Sequence, residues 1–110
     1  MESFFYYVKL LLYFFNSGED GTIRLEGYTA DIRVRWRIES DCDNIHIYTE
    51  SFHLEKNYDH LSIHTNDWHR YYTGNKDLNL YTSGGDIELI FTSDGSVQED
   101  GFVIHWQCVD

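Results

Sequence analysis

The chain has 110 residues, of which 42% are hydrophobic and 17% aromatic. That is enough for one compact domain with a real core, and too apolar for a disordered chain. A formal charge of −11 repels phosphate backbones and anionic head groups, which argues against nucleic acid and simple membrane adsorption. Cations and cationic partners suit the charge, and so does the bland role of keeping an aromatic-rich surface soluble.

From Phe4 to Phe15 the sequence is an apolar run interrupted by Lys9. It is too short to cross a bilayer as a helix, which takes about 20 residues. Its length suits a signal-peptide core, yet Met1-Glu2-Ser3 carries no positive charge and Asn16-Ser17-Gly18 is a weak cleavage site. Its Tyr, Phe and Val also suit a first strand, or an arm that packs on another subunit. Residues 1–17 are therefore read as an apolar N-terminal segment (extra strand, assembly arm or signal peptide) and residues 18–110 as the domain.

The segment Gly18–Gly21 is a turn, and Thr22–Leu25 a short strand. Next, Ile32, Val34, Trp36 and Ile38 alternate with Arg33, Arg35 and Arg37. This period of two puts apolar residues on one face and basic residues on the other. The arginines are expected to pair with acids on neighbouring strands, with a basic binding stripe as the alternative. Ser40–Asn44 turns and carries Cys42, after which Ile45, Ile47 and Thr49 alternate. The spacing changes from two to three at Phe52, as a β-bulge produces.

Leu61 and Ile63 mark a further strand, whereas Asn66–Asn79 is polar and reads as a loop containing Trp68, Tyr71 and Tyr72. Ser83-Gly84-Gly85-Asp86 is a turn, Ile87, Leu89 and Phe91 alternate, and Ser93-Asp94-Gly95-Ser96 turns again. Phe102, Ile104 and Trp106 close the chain. There is no helical pattern and no internal repeat, and short strands with frequent turns imply an antiparallel sandwich or barrel.

The two cysteines, Cys42 and Cys108, form no C-x-x-C and no zinc spacing. They are either one disulfide or two buried thiols. His60 and His64, four apart on a strand, share a face. They could hold zinc with Asp59 or Asp67, although strand histidines are commonly just half-exposed polar residues. No nucleophile motif, phosphate-cradling loop or His-Glu-x-x-His occurs, so the chain is not expected to be an enzyme. Trp68, Tyr71 and Tyr72 could offer sugars a stacking platform; the alternative is that they pack back on the domain.

Several fragments, taken in order, resemble a CUB domain over about residues 18 to 108. They are Phe52-x-Leu54-Glu55, Tyr58-Asp59-x-Leu61-x-Ile63, Ile87-x-Leu89-x-Phe91-Thr92-Ser93-Asp94-x-Ser96 and Gly101-Phe102-x-Ile104-x-Trp106. Gly21-Thr22-Ile23, Gly27-Tyr28 and Trp36-x-Ile38 match the opening more loosely. The resemblance implies an all-β, jelly-roll-like sandwich of two antiparallel sheets. It also implies an extracellular, secreted or cell-surface setting and a non-catalytic role in binding proteins, sometimes carbohydrate.

The family's usual cysteine pairs are missing, since Val34 stands where one is expected. Cys42 and Cys108 would be a replacement bridge. The family's calcium site falls on Glu55, Asp59 and Asp94, with Ser96 adding oxygen and Tyr28 supporting a ligand. Such an ion would hold acids in place to grip a partner's Lys or Arg. The other expected role is a homo-oligomer or filament built through the apolar N-terminal segment.

Overall fold

The computed structural model describes residues 10–28, 31–94 and 100–109, with side chains from Gly18 onward. Nine strands form among them: β1 (Leu10–Ser17), β2 (Asp20–Glu26), β3 (Ile32–Glu39), β4 (Asn44–His53), β5 (His60–His64), β6 (His69–Tyr72), β7 (Asn79–Ser83), β8 (Ile87–Thr92) and β9 (Gly101–Val109). One sheet has the order β1-β3-β8-β5-β6 and the other β2-β9-β4-β7. Non-consecutive neighbours in both sheets give the jelly-roll-like sandwich that the family resemblance implies, and decide between the sandwich and the barrel that the strand pattern allows. No helix of the described residues is long and apolar enough to cross a membrane.

The alternation in β3 becomes the burial pattern directly. Val34, Trp36 and Ile38 are buried, while Arg33, Arg35 and Arg37 point away from the core. β8 faces the core through Ile87, Leu89 and Phe91. From the opposite sheet come Ile45, Ile47, Phe52, Phe102, Ile104 and Trp106. Phe102 lies at the centre, with ring centroids 5.5 Å from Trp36, 5.7 Å from Phe52 and 5.9 Å from Phe91. Burying an aromatic ring of this kind typically contributes about 3–5 kcal/mol, judged by its loss to alanine.

Three features differ from the expectation or sharpen it. β1 runs parallel to β3, with Leu10 opposite Ile32 and Ser17 opposite Glu39, so one edge of the sandwich is not antiparallel. The polar stretch read as a loop contains β6, and β7 opens at its last residue, Asn79. The bulge expected near Phe52 lies at Glu50, where the β4–β9 register shifts between Thr49 and Ser51.

Arg35 Nε lies 2.7 Å from Glu88, and Arg37 Nη2 lies 2.6 Å from Asp86. Two of the three strand arginines thus have their acid on or beside the adjacent β8. Cys42 and Cys108 are joined in a disulfide that ties the loop before β4 to the end of β9. Residues 1–9 lie outside the described residues, so the assembly-arm and signal-peptide readings rest on sequence for that part.

Candidate functional site

The strands bring three acids together at the end of the sandwich where β4 finishes and β5 begins. The connecting segment is short. Tyr58 N and Asp59 N both donate to the Glu55 carbonyl, at 3.3 and 3.0 Å. Asn57, inside this turn, has φ 70°, a left-handed conformation that Asn tolerates better than most residues. The Thr73 hydroxyl, just past β6, donates to the Asp59 carbonyl at 2.7 Å and lies 3.2 Å from the Glu55 carbonyl. The same oxygen accepts Asn57 N at 2.9 Å. One hydroxyl therefore holds the turn that spaces Glu55 from Asp59.

Asp94 arrives from β8. Ser93 anchors it, since Ser93 N donates to the Ile32 carbonyl and Ser93 Oγ accepts Ile32 N, both at 3.0 Å. Asp31 N donates to the Asp94 carbonyl at 2.6 Å. Asp59 is fully buried, with 0% exposure. A buried carboxylate needs donors to offset lost hydration. Here Tyr28 Oη donates to Oδ2 and Asp94 N donates to Oδ1 at 3.1 Å.

Oxygen atoms of Glu55, Asp59 and Asp94 all lie within 4.8 Å of one another. Glu55 and Asp94 are half-buried. Two unit charges at that separation repel by about 3 kcal/mol at an effective dielectric constant of about 20. A hard divalent cation would turn this repulsion into attraction, and the donor set is all oxygen, which suits calcium. The geometry gathers Glu55, Asp59, Asp94 and Tyr28 into one place. Ser96 lies outside the described residues.

The three loop aromatics do not share a platform. Trp68 is half-buried, donates Nε1–H to the Tyr81 carbonyl at 3.1 Å and has the Arg70 guanidinium 4.5 Å from its ring centre. Tyr72 packs edge-on against Phe52 at 6.4 Å. Tyr71, next in sequence, projects to the opposite face and is 72% exposed. Asp67 is not in a zinc cluster either. It accepts Ser83 N at 2.6 Å, Ser83 Oγ at 2.8 Å and Thr82 Oγ1 at 3.2 Å. The backbone N–H of Ser83, more than the hydroxyls, holds its carboxyl below the usual value. Among the described residues the histidines join no three-ligand cluster.

Thr73 and Ser93 were not singled out by sequence reasoning. Thr73 carries no motif, and only the loop geometry reveals it. Ser93 adjoins Asp94 in the sequence, but its bond to Ile32 spans 61 residues.

The described residues thus form a two-sheet sandwich with three acids converging on its end loops. Matching the CUB domain model over residues 22–106, the chain belongs to the CUB family, whose domains are non-catalytic protein-interaction modules. It is 29% identical to human cubilin over an alignment of 102 positions, which takes in 81% of this chain and 3% of cubilin.

Among solved structures, the full extracellular region of zebrafish Gpr126/Adgrg6 aligns with a TM-score of 0.73 and 25% identity, over 92% of this chain and 14% of that one. The MASP-1 CUB2 domain bound to Ca2+ aligns with a TM-score of 0.72 and 18% identity, over 91% of this chain and 99% of that one. The chain thus spans a single domain's length and only a small part of cubilin and Gpr126.

Proposed function

We propose that this domain is an extracellular protein-binding module whose recognition end is organised by calcium held on Glu55, Asp59 and Asp94. The convergence of those three carboxylates within 4.8 Å, one of them fully buried, carries the reading. The calcium-bound MASP-1 relative supports it. Tyr28 and the backbone of Asp94 orient Asp59. A bound ion would supply charge neutralisation and hold the loops in place. The partner best matched to the remaining acid is one presenting Lys or Arg, gripped by charge-assisted hydrogen bonds.

The test is a thermal melt in calcium and in chelator, with Asp94→Ala alongside. Calcium should raise the midpoint of the native chain, and the substitution should remove that shift. A midpoint indifferent to calcium would end the ion-site reading. Binding to a Lys/Arg-rich partner should weaken with added salt and with chelator.

A second reading is favoured by β1. Among the described residues it is the outermost strand of its sheet, paired on one side to β3, and its sequence Leu-Leu-Leu-Tyr-Phe-Phe-Asn-Ser contains no charge or proline. Edge strands are usually guarded by such residues. A further copy of the chain could add a strand there and build a homo-oligomer or filament. Light scattering of the chain with and without residues 1–17 separates this from a monomeric module.

A further inference from the structure

On the outer face of the five-stranded sheet, away from the core, lies a shallow groove of about 310 Å3. Strand register builds it from two rows. One row runs Arg33, Thr92 and His60 across β3, β8 and β5. The other brings Ile90, Ser62 and Tyr71 together across β8, β5 and β6. His64 closes the groove, its Nε2 3.0 Å from Ser62 Oγ.

Among the described residues the groove has no acid in its lining, in a chain with 19 acids and eight Lys plus Arg. Arg35 and Arg37 are each held by carboxylates. Arg33, on the same face of the same strand, is exposed and makes no ion pair among the described residues. The His60 ring and the Thr92 hydroxyl, beside it in the same row, likewise have no hydrogen-bond partner among them. Tyr71 is 72% exposed and stands edge-on to His64, with ring centroids 6.2 Å apart.

We infer that this groove binds one anionic sugar residue, a saccharide unit bearing a carboxylate or a sulfate. The Arg33 guanidinium is a planar fork that matches such an oxyanion in bidentate fashion. His60 and Thr92 supply further donors in the same row. Tyr71 and Ile90 offer apolar surface to the C–H face of a sugar ring, which gives a saccharide an advantage over a bare anion. The volume suits one residue rather than a chain. The charge of −11 also repels a long polyanion at a distance, so the ligand is a singly charged unit. The groove shares no lining residue with the three acids, although His60 follows Asp59 and Thr92 stands two residues before Asp94.

The experiment is a titration of the isotope-labelled full chain followed by backbone amide NMR. The probes are methyl glucuronide and N-acetylglucosamine 6-sulfate, against their neutral parents, sodium acetate, sodium sulfate and a short Glu-rich peptide. The expected result is shifts centred on Arg33, His60, Tyr71 and Thr92 with the anionic sugars, with a dissociation constant of about 1 mM.

Arg33→Ala should weaken binding by about tenfold and Tyr71→Ala by several-fold, with the thermal midpoint unchanged in each. Asp94→Ala should leave the titration intact, so failure here is distinguishable from failure of the calcium reading. The inference is overturned by an absence of shifts, by equal response to neutral sugars or to simple anions, or by preference for the acidic peptide.

Discussion

The Tyr28 hydroxyl donates to Oδ2 of Asp59, joining the loop after β2 to the residue just before β5. Both residues are buried, at 3% and 0% exposure. Tyr28 also packs edge-on against Phe91, with ring centroids 4.8 Å apart, so its ring holds its place without the hydroxyl. Tyr28→Phe therefore isolates the hydrogen bond. It removes one donor from a buried carboxylate, and bonds to charged groups are worth about 1.5–3 kcal/mol. Urea unfolding in chelator should show a loss of about 2 kcal/mol. A loss below a few tenths would mean that Asp59 does not depend on this donor.

Charge repulsion among Glu55, Asp59 and Asp94 makes a second prediction with two signs. In chelator, Asp94→Asn relieves repulsion and should leave the domain as stable as the native chain or more so. In calcium the order should reverse, because the variant loses a ligand. Calcium at a hundredfold over its dissociation constant adds about 2.7 kcal/mol to the native chain. Glu55→Gln should behave in the same way. If the variants were less stable than the native chain even in chelator, these acids would be structural and not ion ligands.

The Cys42–Cys108 bridge spans 66 residues. Loop-entropy arguments give such a cross-link about 4 kcal/mol, acting on the unfolded chain. The double substitution Cys42→Ser with Cys108→Ser should lower the unfolding free energy by roughly that amount while preserving the far-ultraviolet circular dichroism of the folded state. Reducing agent should do the same to the native chain and nothing to the variant.

Asp67 provides a pH test. Its carboxyl sits below the usual value of 3.8, chiefly because Ser83 N–H stabilises the charged form. A depressed folded pKa contributes stability above the unfolded value, and that contribution is lost as pH falls through the folded one. Asp67→Asn should thus be less stable than the native chain near neutrality. The difference should shrink as pH drops below about 4. A gap that stayed constant down to the acid limb would assign the effect to geometry instead of charge.

How much of this was legible depended on which faces the strands bury. β3, β5 and β8 each send apolar residues to one side at every second position, and the sequence shows it. β6 does not. His69, Arg70 and Tyr71 are exposed and only Tyr72 reaches the core's margin, so an edge strand looked like a polar loop. β7 is similar, with Thr82 as its one fully buried residue. The parallel sense of β1 was invisible because alternation does not record direction.

Alternation also placed Arg33, Arg35 and Arg37 on one face without telling which would find an acid. That followed from Glu88 lying opposite Arg37 in the register and reaching Arg35 diagonally. The nearness of Glu55, Asp59 and Asp94 came from the family resemblance. No periodicity in the chain contains a contact between Asp59 and Asp94, which are 35 positions apart.

Gly101, at the start of β9, has φ +96°, a backbone region in which L side chains are strained. A Cβ there would also lie 1.8 Å from the Leu25 carbonyl oxygen, a backbone atom that cannot swing aside. Either the β2–β9 pairing or the approach of β9 to the core would have to shift, and Phe102 is the next residue. Gly101→Ala should therefore cost at least about 2 kcal/mol and reach the aromatic core. Gly27→Ala is the control: it has φ +59° but no atom within 4 Å of the added Cβ, so it reports the backbone strain alone. Equal losses in the two variants would show that the Leu25 contact is relieved at no cost. A larger loss at Gly101, with slowed or absent near-ultraviolet dichroism from Trp36 and Trp106, would locate the damage where β9 enters the sandwich.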